Sequence, residues 1–319
     1  MDNLNIFRPQ KLNEFIGNVK ICEILSIYLF SAKKRKASLD HVLLYGQPGV
    51  GKTSLANIIS NELESHLISV SAPILKYPSD LINLIANINS GDVLFIDEFH
   101  RLNKEIEEIL YSVMEDFQIS INYKNNENNK ILKLEVPPFT LIGATTIIGK
   151  ISLPLRERFP IILKLETYSV DELSKIISNN ATKLKINIDK DGIKEIAKRS
   201  RCTPRLANNY LKRIYDFSLY YKKEKIDRNF IIDRFYDLGI DDLGLTNTDY
   251  KIIEIMFNDF KNNPVSFDSI ALKLNDDPES LISFNEQYLL SINIIERTRR
   301  GRKLTDFGKN IYLNRIKKR

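Results

Sequence analysis

Residues 41–54 read HVLLYGQPGVGKTS. A short apolar run passes into Gly46, Gly49, Gly51, Lys52 and Thr53, which is the G-x-x-x-x-G-K-T spacing. Glycines let the backbone wrap so that its N–H groups point at phosphate oxygens, and the positive end of the following helix adds to that field. Lys52 is then placed to reach β and γ phosphates, with the Thr53 hydroxyl on a magnesium ion. Since SLANIISNEL follows with helical periodicity, the stretch reads as strand, phosphate loop and helix. An α/β nucleotide-binding fold is the expectation.

Working outward, DVLFIDEFH (92–100) is a second apolar strand ending in Asp97 and Glu98. Open α/β sheets bind ligands at the carboxyl ends of their strands. Adjacent carboxylates there suit a metal-shell ligand and a water-activating base, although acidic residues also cap helix N-termini. FTLIGATT (139–146) is a third strand, ending in Thr145 and Thr146, and LPLRERFP (153–160) brings Arg156 and Arg158. The threonines suit a strand end by propensity alone, and the arginines suit a surface helix. Their order also suits a γ-phosphate sensor followed by an arginine offered to a neighbouring subunit's ATP, a group that can be worth ~10³–10⁵ in rate.

Strand-like and helix-like patterns alternate through residues 1–168, as a parallel sheet covered by helices requires. Within them FQISINY and KILKLEV flank KNNENN, the signal of a hairpin, either a surface turn or a docking arm. Residues 169–239 turn wholly helical, opening with Ser169 as an N-cap. There Pro204 starts a helix and Arg205 follows it. That arginine either tops a solvated helix end or points at phosphates. Residues 240–319 give three helices with cap signals at Thr246, Ser266 and Asp277–Pro278. NIIERT, RRG and RKLT then read as strand, turn and strand. Three helices and a hairpin make a winged helix, with Arg297, Arg299, Arg300 and Arg302 on the wing.

Charge supports a polyanion partner at that end. Residues 291–319 hold ten Lys or Arg against two Asp or Glu, +8, while the other 290 residues hold 37 against 39, −2. The planar, always charged guanidinium suits phosphate and groove contacts, so the turn reads as a DNA clamp. Composition, at 43% apolar and 28% charged, fits a globular chain. No apolar run reaches the ~18 residues of a membrane helix, and MDNLNIFRPQ lacks the pattern of a signal peptide, so a cytoplasmic protein is expected. Cys22 and Cys202 stand without ligand or redox spacing and read as two free thiols.

In family order, RPQKLNEFIG, LDHVLLYGQPGVGKTS, GDVLFIDEFHRLNKEIEEILYSVMEDF, PPFTLIGATT, LPLRERF, RSRCTPRLAN and RTRRGR resemble the RuvB family of AAA+ Holliday-junction branch-migration ATPases. The likeness covers nearly the whole chain. It implies an α/β AAA+ P-loop ATPase core, a small all-α lid and a C-terminal winged-helix domain, with ATP and Mg²⁺ as cofactors. By this resemblance Gly49, Gly51, Lys52, Thr53 and Ser54 hold phosphates, and Arg8 and Tyr168 line the base and ribose side. Glu115, Asp116 and Phe117 are further nucleotide-binding positions. Thr53 and Asp97 hold the metal, Glu98 is the base, Thr146 the first sensor, Arg205 the second, and Arg158 the finger supplied in trans. Arg297 and Arg302, with Arg299 and Arg300 beside them, contact DNA.

The implied partners are duplex DNA and four-way junctions, a RuvA-type protein docking on the hairpin near 117–136, a RuvC-type resolvase and further copies in a homohexameric ring, with no membrane. Some positions depart from the family: Gln47 and Arg299 replace proline, Ser54 threonine and Cys202 glycine. YKNNENNK (123–130) stands where the family has a glycine- and arginine-containing hairpin tip. Rival readings are another AAA+ DNA machine, such as a clamp-loader subunit or replication initiator, and a nucleotide-gated winged-helix regulator.

Overall fold

A computed structural model describes residues 5–125 and 128–318, with side chains described except at 5, 120–132 and 317–319. The chain divides into two compact units, Met1–Tyr168 and Ser169–Arg319. In the first, five parallel strands form one sheet in the order β2-β3-β6-β1-β7. These are β1 (Val42–Tyr45), β2 (Leu67–Ser71), β3 (Val93–Asp97), β6 (Thr140–Thr145) and β7 (Ile161–Lys164). Burial follows position. The central strands β1, β3 and β6 are buried almost throughout, whereas edge strand β7 alternates buried and exposed residues. Unbroken apolar runs such as VLLY and VLFI are what a strand covered on both faces needs.

Helices α1 (Val19–Arg35), α2 (Lys52–Leu63), α3 (Pro78–Ile85), α4 (Lys104–Asp116) and α5 (Leu153–Glu157) accompany the sheet. Asn103 caps α4 by accepting from the Ile106 amide at 2.9 Å. The apolar face of α4 (Ile106, Leu110, Val113, Met114) enters the same core as Leu94, Ile96, Phe99 and Phe139. Hairpin strands β4 (Gln118–Asn125) and β5 (Asn128–Glu135) pair in antiparallel register from Gln118↔Glu135 to Asn125↔Asn128. The divergent tip at 123–130 falls among residues whose side chains lie outside the described set, as 126 and 127 do entirely.

The second unit opens with four helices, α6 (Val170–Lys183), α7 (Lys190–Arg199), α8 (Pro204–Tyr220) and α9 (Arg228–Asp237). Ser169 and Glu172 cap α6 reciprocally. The winged helix follows with α10 (Asn247–Glu254), α11 (Phe267–Leu274), α12 (Pro278–Leu281) and α13 (Gln287–Ser291), then strands β8 (Ile295–Thr298) and β9 (Gly301–Leu304). Thr246, Ser266 and Asp277 each accept an amide as N-cap. Its core is its own, built on Ile252, Met256, Phe267, Ile270, Leu289 and Ile294.

Two features escape the sequence reading. Helix α10 runs into a π turn, Ile255–Asp259, and another, Ile282–Glu286, joins α12 to α13. The basic C-terminal stretch, read above only as charge, forms α14 (Asp306–Lys318). There Tyr312 is buried in the core, and a Cβ at Gly308 would lie 2.2 Å from the Ile294 carbonyl oxygen. Charge alone does not reveal that one face is anchored.

Candidate functional site

The phosphate loop leaves the C-terminal end of β1. Gly49 and Gly51 take φ of 81° and 106°, values that L side chains rarely adopt. A Cβ on Gly46 would lie 2.5 Å from the Leu165 carbonyl oxygen, so the loop turns hard against the end of β7. Lys52 is buried and donates to the carbonyls of Gly46 and Gln47 at 2.8 and 3.0 Å. Burial lowers its ammonium pKa to about 8, against the opposing pull of Asp97 and Glu98. A buried cation whose hydrogen bonds, among the described residues, go to loop carbonyls fits a polyphosphate, which would supply both charge and acceptors. Tyr168 is buried and donates to the Val50 carbonyl at 3.1 Å, bracing the loop from the side. Thr53 and Ser54 are half-buried in the first turn of α2, and Arg8 is exposed.

Beside the loop, Asp97 closes β3 and its Oδ1 accepts the Glu98 amide at 2.9 Å. Glu98 has φ 52°, an uncommon conformation for a non-glycine residue. It turns the chain off the strand and leaves the carboxylate about two-fifths exposed. Its Oε2 is 3.4 Å from His100 Nε2, and His100 Nδ1 hydrogen-bonds Thr145 Oγ1 at 3.0 Å. Thr145 is fully buried at the end of β6 and also accepts the Ile147 amide. Glu98, His100 and the end of β6 therefore form one polar line, and Thr146 is the half-buried residue directly after it. His100 was not singled out from sequence, whereas Thr145 was read there with Thr146 as one of two strand-end threonines. The only available sign was a histidine two residues after the acidic pair.

Arg158 and Glu115–Phe117 lie elsewhere. Phe117 packs 6.2 Å from the ring of His41, the residue before β1, while the Ile161 amide at the start of β7 donates to the His41 carbonyl. Both segments therefore border the N-terminal edge of the sheet, opposite the edge that carries the loop. The expectation that Glu115, Asp116 and Phe117 bind nucleotide does not place them at their own chain's loop. Helix α4 runs back from Glu98 across the sheet and ends at the far edge. Arg158 joins them there, donating to the Pro154 carbonyl at 2.8 Å and to Glu115 Oε2 at 3.1 Å.

In the second unit, Arg205 is exposed at the start of α8. Cys202, just before it, has φ 56°, the left-handed region that a glycine would occupy most readily. Both cysteines are free. On the wing, Arg297 and Arg302 are cross-strand partners and both bind the Oε1 of Glu286, at 3.0 and 2.9 Å. Arg299 and Arg300 sit exposed in the turn between them. The four arginines thus divide into two anchored at the base and two at the tip.

The model of the Holliday junction DNA helicase RuvB P-loop domain matches residues 7–165. The RuvB AAA lid domain matches 168–241, and the RuvB C-terminal winged helix domain 242–313. The Holliday junction branch migration complex subunit RuvB of Ehrlichia ruminantium is 45% identical over 95% of this chain and 92% of its own length. That of Lactobacillus gasseri is 44% identical over 93% and 88%. Among solved structures, the Thermotoga maritima RuvB Holliday junction branch migration motor superposes with a TM-score of 0.88 at 40% identity, covering 96% of this chain and 98% of that one. With an α/β phosphate-loop core, a helical lid and a winged helix matching in order, this chain belongs to the RuvB family.

Proposed function

We propose that this protein is an ATP-driven DNA translocase that moves Holliday junctions during recombination and repair, hydrolysing ATP to ADP and phosphate. The observation that carries this reading is the pairing, in one chain, of a hydrolytic carboxylate beside a phosphate loop with an arginine-tipped wing. A nucleotide-gated switch has little need of Glu98 turned off its strand and tied through His100 to the strand that Thr146 follows.

The roles follow from the side chains. Gly49, Gly51, Ser54 and Lys52 bind the phosphates, with Lys52 releasing its loop carbonyls for them. Arg8 and Tyr168 flank the remainder of the nucleotide. Glu98 takes the proton of the attacking water, held by His100, and Thr146 senses the γ-phosphate. Thr53 and Asp97 suit Mg²⁺, which when bound neutralises charge on the phosphates. Arg158 serves the loop of a neighbouring copy, with Glu115–Phe117 beside it at that junction, so the active form is a ring, assigned here as a homohexamer. Arg205 is the lid's sensor. Arg297 and Arg302, with Arg299 and Arg300 beside them on the turn, contact duplex phosphates.

The hairpin near 117–136 is assigned to a RuvA-type junction-binding protein, and a RuvC-type resolvase is a further partner. Among the described residues no helix is long and apolar enough to cross a membrane, and the protein is assigned to the cytoplasm. The test is conversion of a synthetic mobile four-way junction into duplexes with ATP and the cognate junction-binding protein. Wild type should convert it and Glu98→Gln should not. DNA-stimulated hydrolysis without conversion would instead favour a loader or initiator.

A further inference from the structure

We propose that Glu286 is the positioning residue of the DNA wing: its buried carboxylate, set on a π turn, holds Arg297 and Arg302 and so fixes the direction in which Arg299 and Arg300 project. This rests on the reading of the wing as the DNA contact.

Like charges placed directly opposite across an antiparallel pair repel, and Arg297 and Arg302 are so placed on β8 and β9. What lies beneath them resolves the conflict. Glu286 is fully buried, and its Oε1 receives Nε of Arg297 at 3.0 Å and Nε of Arg302 at 2.9 Å. Its Oε2 is buried with no hydrogen-bond partner among the described residues, so the two guanidiniums are the groups that compensate this charge. Arg302 is further fixed, with its guanidinium 5.6 Å from the Phe267 ring and its backbone bonded both ways to Val265. Gly301 beside it has φ 137°, and a Cβ there would lie 2.5 Å from the Val265 carbonyl oxygen.

The support for Glu286 is equally defined. Asn285 and Glu286, both buried, close the π turn Ile282–Glu286. Such turns interrupt α-helices frequently at functional sites. Asn285 donates to Asp249 Oδ1 at 2.7 Å, and Arg201 donates to the Phe284 carbonyl at 3.2 Å. The carboxylate thus stands on a turn held from the other side, and the wing base is clamped to it. A buried anion under a DNA-contacting wing opposes phosphate binding by charge alone, so its use must lie in geometry.

That opposition gives the test its sign. Glu286→Gln preserves size and an acceptor oxygen while making the wing more positive. If charge alone governed binding, a labelled duplex would bind tighter in fluorescence anisotropy with the full-length protein. A positioning role instead requires the Kd to rise, by about tenfold, which is ~1.4 kcal/mol of binding free energy. The KM for DNA in DNA-stimulated ATP hydrolysis should rise with it, while kcat at saturating DNA is kept. An unchanged or lower Kd overturns the proposal.

Should Glu286→Gln melt out, Glu286→Asp replaces it, retaining the buried charge but shortening its reach to the two Nε groups. Weaker binding is again expected, and unchanged binding again overturns the role. Arg299→Ala with Arg300→Ala separates the two levels. If that pair does not weaken duplex binding, the reading of the wing tip as a DNA contact fails. If it does, and Glu286→Gln does not, only the positioning role falls.

Discussion

Arg158 Nη2 rests 3.1 Å from Glu115 Oε2 of its own chain, and its guanidinium lies 4.6 Å from the Tyr111 ring. Glu115 is more than half exposed, and an ion pair so open to water is worth ~1 kcal/mol or less. The arginine is therefore parked, not locked, and can exchange Glu115 for a stronger anion.

Arg158→Ala should lower ATP hydrolysis by ~10³-fold, the lower range for an arginine finger, while nucleotide still binds its own chain's loop. Mixing tests the trans assignment. Arg158→Ala and Lys52→Ala proteins, each inactive alone, should regain part of the activity when combined, because some junctions then join an intact loop to an intact Arg158. Failure of any mixture to recover activity would count against action in trans.

Lys52 makes nucleotide binding depend on pH. With its pKa at about 8 before binding, the ammonium is charged below that pH, and phosphates then raise its pKa. From pH 8 towards the ordinary 10.5, binding must take up a proton, so affinity should fall by up to about tenfold per pH unit. Calorimetry in buffers of different ionisation enthalpy would register the uptake. For folding the sign is opposite. The cost of burying the charged lysine is fully present below pH 8 and is relieved as pH rises through that window.

His100→Ala should reduce kcat for ATP by ~10²-fold, the lower range for general-base assistance, without weakening ATP binding. His100 contacts Glu98 and Thr145. Equilibrium binding beside steady-state hydrolysis distinguishes this from a general loss of structure, which would move both.

Arg201 forms a buried ion pair with Asp249, which is fully inaccessible and also accepts from Thr246 and Asn285. Removing one member of such a pair costs about 3–5 kcal/mol. Asp249→Ala should therefore melt the second unit well before the first, visible as two transitions by calorimetry where the parent shows less separation.

On the wing, each neutralised phosphate adds ~0.9 to the slope of log affinity against log salt. Arg299→Ala with Arg300→Ala should flatten that slope by about 1.8 if each contacts one phosphate. An unchanged slope would remove the tip from the interface.

Much of the fold was legible because its signals are local. Apolar runs of four to six residues mark strands buried on both faces, capping residues mark helix starts, and glycine spacing marks a loop whose dihedrals few other residues tolerate. The loop, the acidic strand end and the wing hairpin could all be read this way. Less legible were the two π turns and the anchored face of α14, because neither has a short-range pattern. Each follows from what packs against it, as with Tyr312 buried in the winged-helix core.

By itself the sequence determined which groups this protein carries: a phosphate-loop motif, adjacent carboxylates at a strand end, and a cluster of arginines near the C-terminus. Those depend on residue type and spacing along the chain. Only the tertiary structure decided which of these groups work together. It set His100 between Glu98 and Thr145, moved Glu115–Phe117 to the far edge of the sheet beside Arg158, and drew Arg297 and Arg302 onto Glu286. The reason is physical. Buried charges and hydrogen-bonding groups must find partners wherever folding brings them, and those partners lie at sequence distances that no local pattern encodes.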